Sequence, residues 1–311
     1  MSRIVITDCD HQTIDIERTI FARAGYALVL AQCHTANEVI AAGTAAVALL
    51  TQYAPITEAV LAALPSVRVV GIYGASLDNV ELPATERRGL PVVNVPDYGV
   101  DEVADHTIGL ILALTRGIVR LDRAVHAGTW DFRSGGELSR SSGLQIGIIG
   151  LGRIGSAVAR RALALRFRVV AADPRQSVVE GVRVAGLEEL LATSDLVSVN
   201  TRLDPSTRHL LDASAFARMK PGAFLVNTSR GGVVDQVALV EALRSGRLGG
   251  AALDVLEREP IAPDDPLLAL PNVVLTPHAA FYSRESLGEM KRRAAEAIIA
   301  ALAEAGPARE G

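Results

Sequence analysis

The chain has little cysteine and few aromatic residues, and it lacks a long hydrophobic run. Two cysteines, Cys9 and Cys33, among 311 residues are too few for a disulfide framework or a cysteine-based metal site. No apolar run reaches the length that spans a bilayer, and the N-terminus carries no signal-peptide core. The net charge of −4 gives no reason to expect a nucleic acid or a membrane surface as partner. We therefore expect a cytoplasmic protein without a metal site.

What the sequence does contain is aliphatic, since hydrophobic residues make up 49% of it. A chain of this length suggests two domains, with cores rich in Ala, Val, Leu and Ile. Over its first part, short apolar runs typical of strands alternate with helical patterns, which predicts a parallel sheet with helices on its faces. The predicted strands are 4–7, 27–30, 46–50, 67–72 and 92–94, and the predicted helices are 15–24, 36–42 and 57–64.

A glycine-rich stretch organises the second part of the chain. A short apolar run leads into Gly150, Gly152 and Gly155, spaced as G-x-G-x-x-G. A helical pattern follows, and then a second strand that ends at Asp173. The glycines permit a tight turn, the approach of a pyrophosphate, and close packing of helix and strand, while a distal carboxylate can bind the adenosine ribose. An ordinary strand-to-helix turn also contains glycines, but strand, helix and distal acid together favour a dinucleotide site.

The alternation of strands and helices continues to the end of the chain. A mostly apolar helix at 101–115 is expected to be buried or to lie in a subunit interface, and His106 within it is interpreted as structural. Trp130 is expected at a domain or subunit contact. The last helix, 286–303, is apolar on one face, and we expect it to return to the first domain. Further strands are predicted at 196–200, 223–228, 250–255 and 273–276, with helices at 212–219 and 236–244.

Three chemically active side chains, Arg230, Glu259 and His278, each follow one of these later strands. Because ligands of an open parallel sheet bind beyond the carboxyl ends of its strands, we expect the three to converge where the nucleotide lies. Taken singly, each has an ordinary interpretation: a surface cation, a loop carboxylate beside a proline, and a surface or core histidine. Together with a dinucleotide motif, they indicate a catalytic trio.

At these residues the chain resembles the D-isomer-specific 2-hydroxyacid dehydrogenases. The resemblance runs along nearly the whole chain and involves several separate motifs in the same order. Within the chain, segment 277–283 is most similar to the branch of the family that contains the C-terminal-binding-protein corepressors and their bacterial relatives. The motifs are NVP at 94–96, GLGRIG at 150–155, GAFLVNTSRGGVVD at 222–235, ALDV at 252–255 with EP at 259–260, and TPHAA at 276–280.

The resemblance implies an α/β fold with two doubly wound parallel-sheet domains. A Rossmann NAD-binding domain over 98–282 would be inserted in a flavodoxin-like substrate domain formed by 1–97 and 283–311. The resemblance also implies a cleft in which substrate and cofactor meet as the domains close. It further implies a homodimer, with which the apolar helix 101–115 is compatible.

The implied activity is the NAD(H)-dependent interconversion of a small 2-oxo acid and its D-2-hydroxy acid by hydride transfer. His278 would be the general acid and base, Glu259 would orient and stabilise its ring, and Arg230 would bind the substrate carboxylate. The implied cofactor-binding residues are Gly150, Gly152, Arg153, Ile154, Gly155, Asp173, Thr201, Thr207, Thr228, Ser229, Asp254 and His278. The implied substrate-binding residues are Gly74, Ala75, Ser76, Arg230 and His278.

Several positions bear on the choice of ligand. Asp173 favours NAD over NADP because a carboxylate repels a ribose phosphate, whereas the nearby Arg175 would attract one. Family members usually carry a second glycine where Ser76 stands and often an arginine where Ile72 stands, so one anion contact is missing and the substrate loop can differ in shape. Tyr53 either faces the substrate or caps the core of the first domain.

A second interpretation, from another class of protein, stays open. The chain could be a scaffold that senses NADH, like the corepressors, with little turnover of its own. The intact Arg230, Glu259 and His278 do not distinguish the two interpretations, because corepressors keep these residues too.

Overall fold

The computed structural model describes residues 1–175 and 177–305. Two compact units make up the chain: the first combines Met1–Gly99 with the segment from Ser283 onward, and the second is Val100–Tyr282. The division observed after Gly99 comes two residues after the predicted one at 97. Residues 306–311 of the predicted substrate domain lie outside the described part. No helix in either described range is both long and apolar enough to cross a membrane.

The first unit begins as an alternation of strands and helices. Its elements in chain order are β1 (Arg3–Ile6), α1 (Asp15–Arg23), β2 (Ala27–Leu30), α2 (Ala36–Gly43), β3 (Ala46–Thr51), α3 (Glu58–Ala63), β4 (Val69–Ile72), α4 (Leu82–Arg87) and β5 (Val92–Val93). In the described part of this unit, five parallel strands form one sheet in the order β2-β1-β3-β4-β5. This is a doubly wound order of the flavodoxin type, with its switch point between β1 and β3.

Both faces of this sheet are buried. Ile4 and Ile6 of β1 pack with Phe21 of α1, whereas Val5 packs with Val39 of α2 in a second apolar cluster. Successive side chains of a strand point to opposite faces, so the two clusters lie on the two faces of the sheet. The near-continuous apolar runs of the sequence follow from this arrangement.

The second unit is built around a larger parallel sheet. Its elements are α5 (Val100–Thr115), α6 (Ile118–His126), β6 (Gln145–Ile149), α7 (Arg153–Ala164), β7 (Arg168–Ala172), β8 (Arg183–Val184), α8 (Leu187–Thr193), β9 (Leu196–Val199), α9 (Ala213–Arg218), β10 (Ala223–Asn227), α10 (Gln236–Arg244), β11 (Leu248–Leu253) and β12 (Val273–Leu275). Among the residues of this unit that the structure describes, seven strands pair in the order β12-β11-β10-β9-β6-β7-β8. The order reverses between β6 and β9, which is the switch point of a Rossmann sheet.

The last helix, α11 (Arg284–Glu304), belongs to the first unit. It begins after Ser283, whose hydroxyl accepts the backbone N–H of Ser286 as a helix cap. Its Ile298 packs in the same apolar cluster as α1. A Cβ on Gly71 of β4 would lie 2.5 Å from Cδ1 of Ile298, so the glycine allows the helix to approach the sheet closely.

The two sheets confirm the predicted α/β class with doubly wound parallel sheets, one of Rossmann and one of flavodoxin type. The sequence analysis does not predict α4, α6, β8 or α8. The sequence signal for β8 is weak because this strand has only two residues, both exposed. None of the residues of α6 is buried. The predicted loop at 133–142 includes parts of two short 3-10 helices, Phe132–Gly135 and Ser141–Gly143.

Candidate active site

A glycine-rich turn joins β6 to α7 at the carboxyl edge of the second sheet. Gly150 has a φ of +89°, and a Cβ there would lie 2.7 Å from the carbonyl oxygen of Asn200. A Cβ on Gly155 would lie 2.0 Å from the carbonyl oxygen of Gly150. At Gly152, by contrast, a Cβ would have one neighbour among the described residues within 4 Å, Nη2 of Arg175, at 3.4 Å. The turn is therefore closed by the outer two glycines and open at the middle one, as the approach of a phosphate to the backbone requires.

The open glycine stands at the start of α7. Gly152 is the N-cap residue, and it has no side chain to satisfy the first N–H groups of the helix. The first turn begins with Arg153 and Ile154, and its backbone N–H groups together with the helix dipole favour an anion. These residues fit the pyrophosphate of a dinucleotide.

Asp173, directly after β7, is tied to the same turn. Its side chain is 1% exposed, and Oδ2 accepts the backbone N–H of Leu151 at 2.7 Å. Oδ1 accepts the backbone N–H of Arg175 at 2.8 Å. Burial acts to raise the pKa of Asp173, but these hydrogen bonds and the Arg175 side chain outweigh it and lower the pKa. An ionised carboxylate oxygen can accept more than one hydrogen bond, so Asp173 can hold the turn and still receive a ribose hydroxyl.

His278 and Glu259 form a hydrogen-bonded pair. Nδ1 of His278 lies 2.6 Å from Oε2 of Glu259, whose Oε1 accepts the backbone N–H of Leu256 at 2.9 Å. Burial acts to raise the pKa of Glu259, but the hydrogen bond and charge of His278 outweigh it and, with the charge of Arg230, lower that pKa. An ionised carboxylate only accepts hydrogen bonds, so Nδ1 of the imidazole donates and Nε2 is left for another group.

Arg230 lies on the loop after β10, which packs against the loop that carries the glutamate. Its Nη1 donates to the carbonyl oxygen of Ser229 at 2.7 Å, and Nδ2 of Asn227 donates to the carbonyl oxygen of Arg230 at 3.0 Å. A Cβ on Gly231 would lie 1.9 Å from the carbonyl carbon of Leu256. Only glycine permits this approach, so the local sequence brings the arginine towards the glutamate.

Asp254 holds the loop on which His278 stands. The histidine has a φ of +53°, a left-handed conformation that a residue with a Cβ rarely adopts. Its backbone N–H donates to the carbonyl oxygen of Asp254 at 2.8 Å, and the N–H groups of Ala279 and Ala280 donate to the two carboxylate oxygens, each at 2.9 Å. The hydroxyl of Thr276 also donates to Oδ1, at 2.6 Å. These bonds stabilise the strained conformation, whereas contact of Asp254 with the cofactor stays a prediction.

Helix α5 contributes two side chains that the sequence analysis does not assign to the site. Nε2 of His106 lies 3.1 Å from Oγ1 of Thr276. The hydroxyl of Thr107 lies 2.7 Å from that of Thr228, one of the predicted cofactor residues. Each contact joins residues more than a hundred positions apart, so an apolar helical pattern indicates burial of α5 but not these partners.

Three predicted cofactor residues have local partners. Oγ1 of Thr207 donates to the carbonyl oxygen of Arg202 at 2.8 Å, which closes its own loop. The hydroxyl of Ser229 donates to Oδ1 of Asn227 at 3.0 Å. The backbone nitrogen of Thr201 lies beside the glycine turn. Direct contacts of all three with a cofactor stay predictions.

The predicted substrate loop follows β4 in the first unit. Gly74 has a φ of +100°, and its carbonyl oxygen accepts the backbone N–H of Val95 at 2.9 Å. The carbonyl oxygen of Ala75 accepts Nδ2 of Asn94 at 2.8 Å, and Ser76 is half-buried. The NVP motif thus fixes the start of this loop.

Two side chains near this loop bear on substrate recognition. Ile72 is 1% exposed and packs in the cluster of Val5, so no charge stands at the position where the family often has an arginine. Tyr53 is 56% exposed, and its hydroxyl contacts Oδ2 of Asp10 at 3.1 Å. Core capping by Tyr53 is therefore wrong. With Asp8 and Asp10, it lines a surface cavity of about 220 Å³.

Comparison with known families identifies the second unit. Residues 108–280, which lie within the second unit and make up more than half of the chain, match the model of the D-isomer-specific 2-hydroxyacid dehydrogenase NAD-binding domain. The matched range includes the glycine turn, Arg230, Glu259 and His278.

Comparison with individual proteins agrees with this match. The chain is 43% identical to a glyoxylate reductase of Korarchaeum cryptofilum, over 82% of this chain and 79% of that protein. It is 40% identical to a D-3-phosphoglycerate dehydrogenase of Archaeoglobus fulgidus, over 77% of this chain but 46% of that protein. A similar solved structure is the D-lactate dehydrogenase of Aquifex aeolicus complexed with NAD and lactic acid, with a TM-score of 0.87, 26% identity, and coverage of 98% of this chain and 96% of that one.

Proposed function

The chain belongs to the D-isomer-specific 2-hydroxyacid dehydrogenase family, and we propose that it reduces a small 2-oxo acid with NADH to the D-2-hydroxy acid and catalyses the reverse reaction. The observation that carries the proposal is the 2.6 Å hydrogen bond between Nδ1 of His278 and Oε2 of Glu259, near Arg230, in a unit that also bears the glycine turn. A general acid held by a carboxylate, next to a cation, suits the reduction of a carbonyl beside a carboxylate group.

His278 supplies and removes the proton. Bound NADH supplies the hydride to the carbonyl carbon in reduction. Nε2 of the protonated imidazole then gives its proton to the carbonyl oxygen, and the neutral ring takes that proton back in oxidation. Glu259 keeps Nδ1 engaged, which orients the ring and stabilises its positive form. Arg230 binds the substrate carboxylate through its planar guanidinium, whose donors match the two carboxylate oxygens.

We propose glyoxylate as the first substrate to test. The relatives include glyoxylate reductases, and a small acid needs few contacts beyond its carboxylate and carbonyl. The carboxylate would be held by Arg230 and by backbone N–H groups of Gly74, Ala75 and Ser76. Because Ile72 supplies no charge, we expect weaker binding of the acid than in members with an arginine there.

We propose that the cofactor is NADH rather than NADPH. Asp173 is ionised, and its position directly after β7 suits the ribose of an adenosine. Its charge opposes a ribose phosphate, and the exposed Arg175 beside it reduces that opposition. The remaining cofactor contacts would come from Gly150, Gly152, Arg153, Ile154, Gly155, Thr201, Thr207, Thr228, Ser229 and Asp254.

We also propose a homodimer that associates through α6. Helix α6 and the 3-10 helix Phe132–Gly135 pack together, and we call the exposed apolar side chains on and around them the α6 patch. Trp130 is 90% exposed and Phe132 85%, which favours contact with a second copy. The α6 patch consists of Ile118, Val125, Trp130, Phe132 and Leu138. The cytoplasmic location stays a prediction.

A scaffold that binds NADH without turnover is the second candidate. The similarity of 277–283 to the corepressor branch and the apolar Ile72 favour it. It shares the cofactor site with the first candidate and differs only in the fate of the bound NADH.

The two candidates separate in one experiment. NADH absorbance is followed at neutral pH with glyoxylate, pyruvate, hydroxypyruvate, phenylpyruvate and branched-chain 2-oxo acids, and the handedness of the product is determined by chiral chromatography. Oxidation of NADH with formation of a D-2-hydroxy acid supports the dehydrogenase. Tight NADH binding with no turnover of any acid supports the scaffold.

A further inference from the structure

A buried charge pair in the first unit has no part in the reaction described above. Glu17 of α1 is fully buried, and Lys291 of α11 is 5% exposed. We infer that this pair, through the hydroxyl of Tyr73, positions the loop that begins at Gly74, which makes Glu17 and Tyr73 positioning residues for the substrate carboxylate. The inference rests on the proposed function, because that function assigns the loop to the substrate.

Tyr73 connects the pair to the loop. It is 5% exposed and stands between the end of β4 and Gly74. Its hydroxyl donates to Oε1 of Glu17 at 2.6 Å. Burial and the neighbouring carboxylate raise the pKa of Tyr73, so the phenol keeps its proton and remains a donor. A hydrogen bond to a charged acceptor is stronger than one between neutral groups, so it fixes the ring firmly.

Lys291 is the counter-charge that lies beside the buried glutamate. Its Nζ lies 3.7 Å from Oε2 of Glu17 and donates to the carbonyl oxygen of Thr13. Within the described residues Oε2 has no hydrogen-bond partner, so the charge of Lys291 is its compensation. Removing one member of a buried pair leaves an uncompensated charge, which destabilises a fold strongly. The position of Tyr73 therefore depends on both α1 and α11.

Other contacts fix the ring and the backbone of Tyr73. The ring of His11 meets that of Tyr73 edge-on, with centroids 4.8 Å apart and planes at 88°. The backbone N–H of Tyr73 donates to the carbonyl oxygen of Thr51 at 2.9 Å. After this residue the chain turns at once through Gly74, whose φ is +100°. Small rotations of the tyrosine would thus move the N–H groups of the loop directly.

The chemistry of the pair favours positioning over simple stability. Apolar residues of similar size would fill the same space without the cost of removing two charges from water. The hydrogen bond from the Tyr73 hydroxyl to Oε1 of Glu17 instead holds the tyrosine ring in one position. An accurate ring position matters because the backbone N–H groups of the next residues must meet the substrate carboxylate at hydrogen-bond distance.

The test is Tyr73→Phe, which keeps the ring and the charge pair and removes only the hydroxyl. Steady-state kinetics with the best 2-oxo acid of the panel would give KM and kcat, fluorescence titration would give the Kd for NADH, and thermal unfolding would report folding. We expect KM for the acid to rise about tenfold, in line with the loss of a hydrogen bond to a charged group. The Kd for NADH should stay within about twofold, since the glycine turn lies in the other unit.

Two further variants make the result specific. Tyr26→Phe removes a phenol hydroxyl from the same apolar cluster and should leave KM unchanged. Glu17→Gln keeps an acceptor for the Tyr73 hydroxyl and should raise KM less than Tyr73→Phe does. An unchanged KM in Tyr73→Phe would overturn the inference. So would a parallel loss of NADH affinity and thermal stability, which indicates a merely structural role. If the wild type turns over no acid in the panel, the proposed function itself fails, and the inference falls with it.

Discussion

Nδ1 of His278 lies 2.6 Å from Oε2 of Glu259, and the glutamate carboxylate also accepts the backbone N–H of Leu256. The pair fixes which nitrogen of the imidazole faces the carboxylate and therefore which one is available to a substrate. It joins β12 and β11 through the loops at their carboxyl ends, where a Rossmann sheet binds its ligands. Most of the proposed chemistry depends on this one contact.

The pair predicts how the pH dependence of the reaction responds to Glu259→Gln. Reduction needs a protonated imidazole, so its rate falls as pH rises, and oxidation shows the opposite trend. The carboxylate stabilises the positive ring, and its replacement by a neutral amide removes that stabilisation. We expect the pH at which reduction loses half its rate to move lower in the variant, which kcat/KM measured from acid to alkaline pH will detect. An unmoved profile would contradict the role of Glu259.

Glu259 also predicts a change in stability with pH. Its pKa is lowered in the folded chain, so its ionised form stabilises the fold above the unfolded pKa of about 4.3. This contribution disappears as pH falls through the lowered value. We therefore expect Glu259→Gln to be less stable than the wild type near neutral pH and the difference to shrink in acid, by urea unfolding at each pH. The side chain is 36% exposed, so solvent screening keeps the effect small.

The hydrogen bond from Thr276 to Asp254 predicts that the loop of His278 depends on this contact. Its hydroxyl gives its one proton to Asp254, so its contact with His106 requires Nε2–H of the histidine to donate. Thr276→Val keeps the shape and removes both bonds. We expect kcat to fall about tenfold, because the strained backbone of His278 loses part of its support. Thr276→Ser should restore most of the rate, and equal rates in all three proteins would contradict the account.

The neighbouring charges of Asp173 and Arg175 predict the choice of cofactor. Asp173→Ala removes the acceptor for the ribose and one anchor of the glycine turn, so we expect NADH affinity to fall about tenfold and NADPH affinity much less. Arg175→Ala should weaken NADPH and leave NADH nearly unchanged. Fluorescence titration with both nucleotides measures this without turnover. Equal losses for both nucleotides in Asp173→Ala would rule out the ribose assignment.

The α6 patch predicts the oligomeric state. We expect light scattering to give twice the mass of the chain, and Trp130→Glu with Phe132→Glu to give the mass of one chain, because a charge in an apolar interface loses its hydration without compensation. Val237, an apolar residue of α10 that is 80% exposed, provides the control: Val237→Glu should leave the mass unchanged. A monomeric wild type would contradict the proposed dimer.

The sequence predicts those parts of the fold and site that depend on local patterns. The spacing of Gly150, Gly152 and Gly155 predicts the turn because Gly150 and Gly155 each meet a backbone constraint within or next to it, while Gly152 leaves it open. Buried strands are predicted because both faces of each sheet are covered, which produces continuous apolar runs. The strand that precedes Asp173 is predicted for the same reason.

The parts that the sequence does not predict depend on contacts between distant segments. The left-handed conformation of His278 is stabilised by Asp254, and nothing in the residues around the histidine signals it. The contacts of His106 and Thr107 join α5 to residues near the end of the unit, and helical periodicity carries no information about such partners. The exposed face of α6 has the same composition as a buried one, so periodicity alone cannot distinguish them.

The most direct test of the account is the oxidation of bound NADH by the 2-oxo acid in stopped flow, with the wild type and His278→Gln compared. The account predicts that the wild type oxidises one NADH per site and releases one D-2-hydroxy acid. The variant should still bind NADH but oxidise it at least about 100-fold more slowly, the usual contribution of a general acid. A variant that keeps the wild-type rate would contradict the role of His278, and a wild type that transfers hydride to no acid would contradict the dehydrogenase itself.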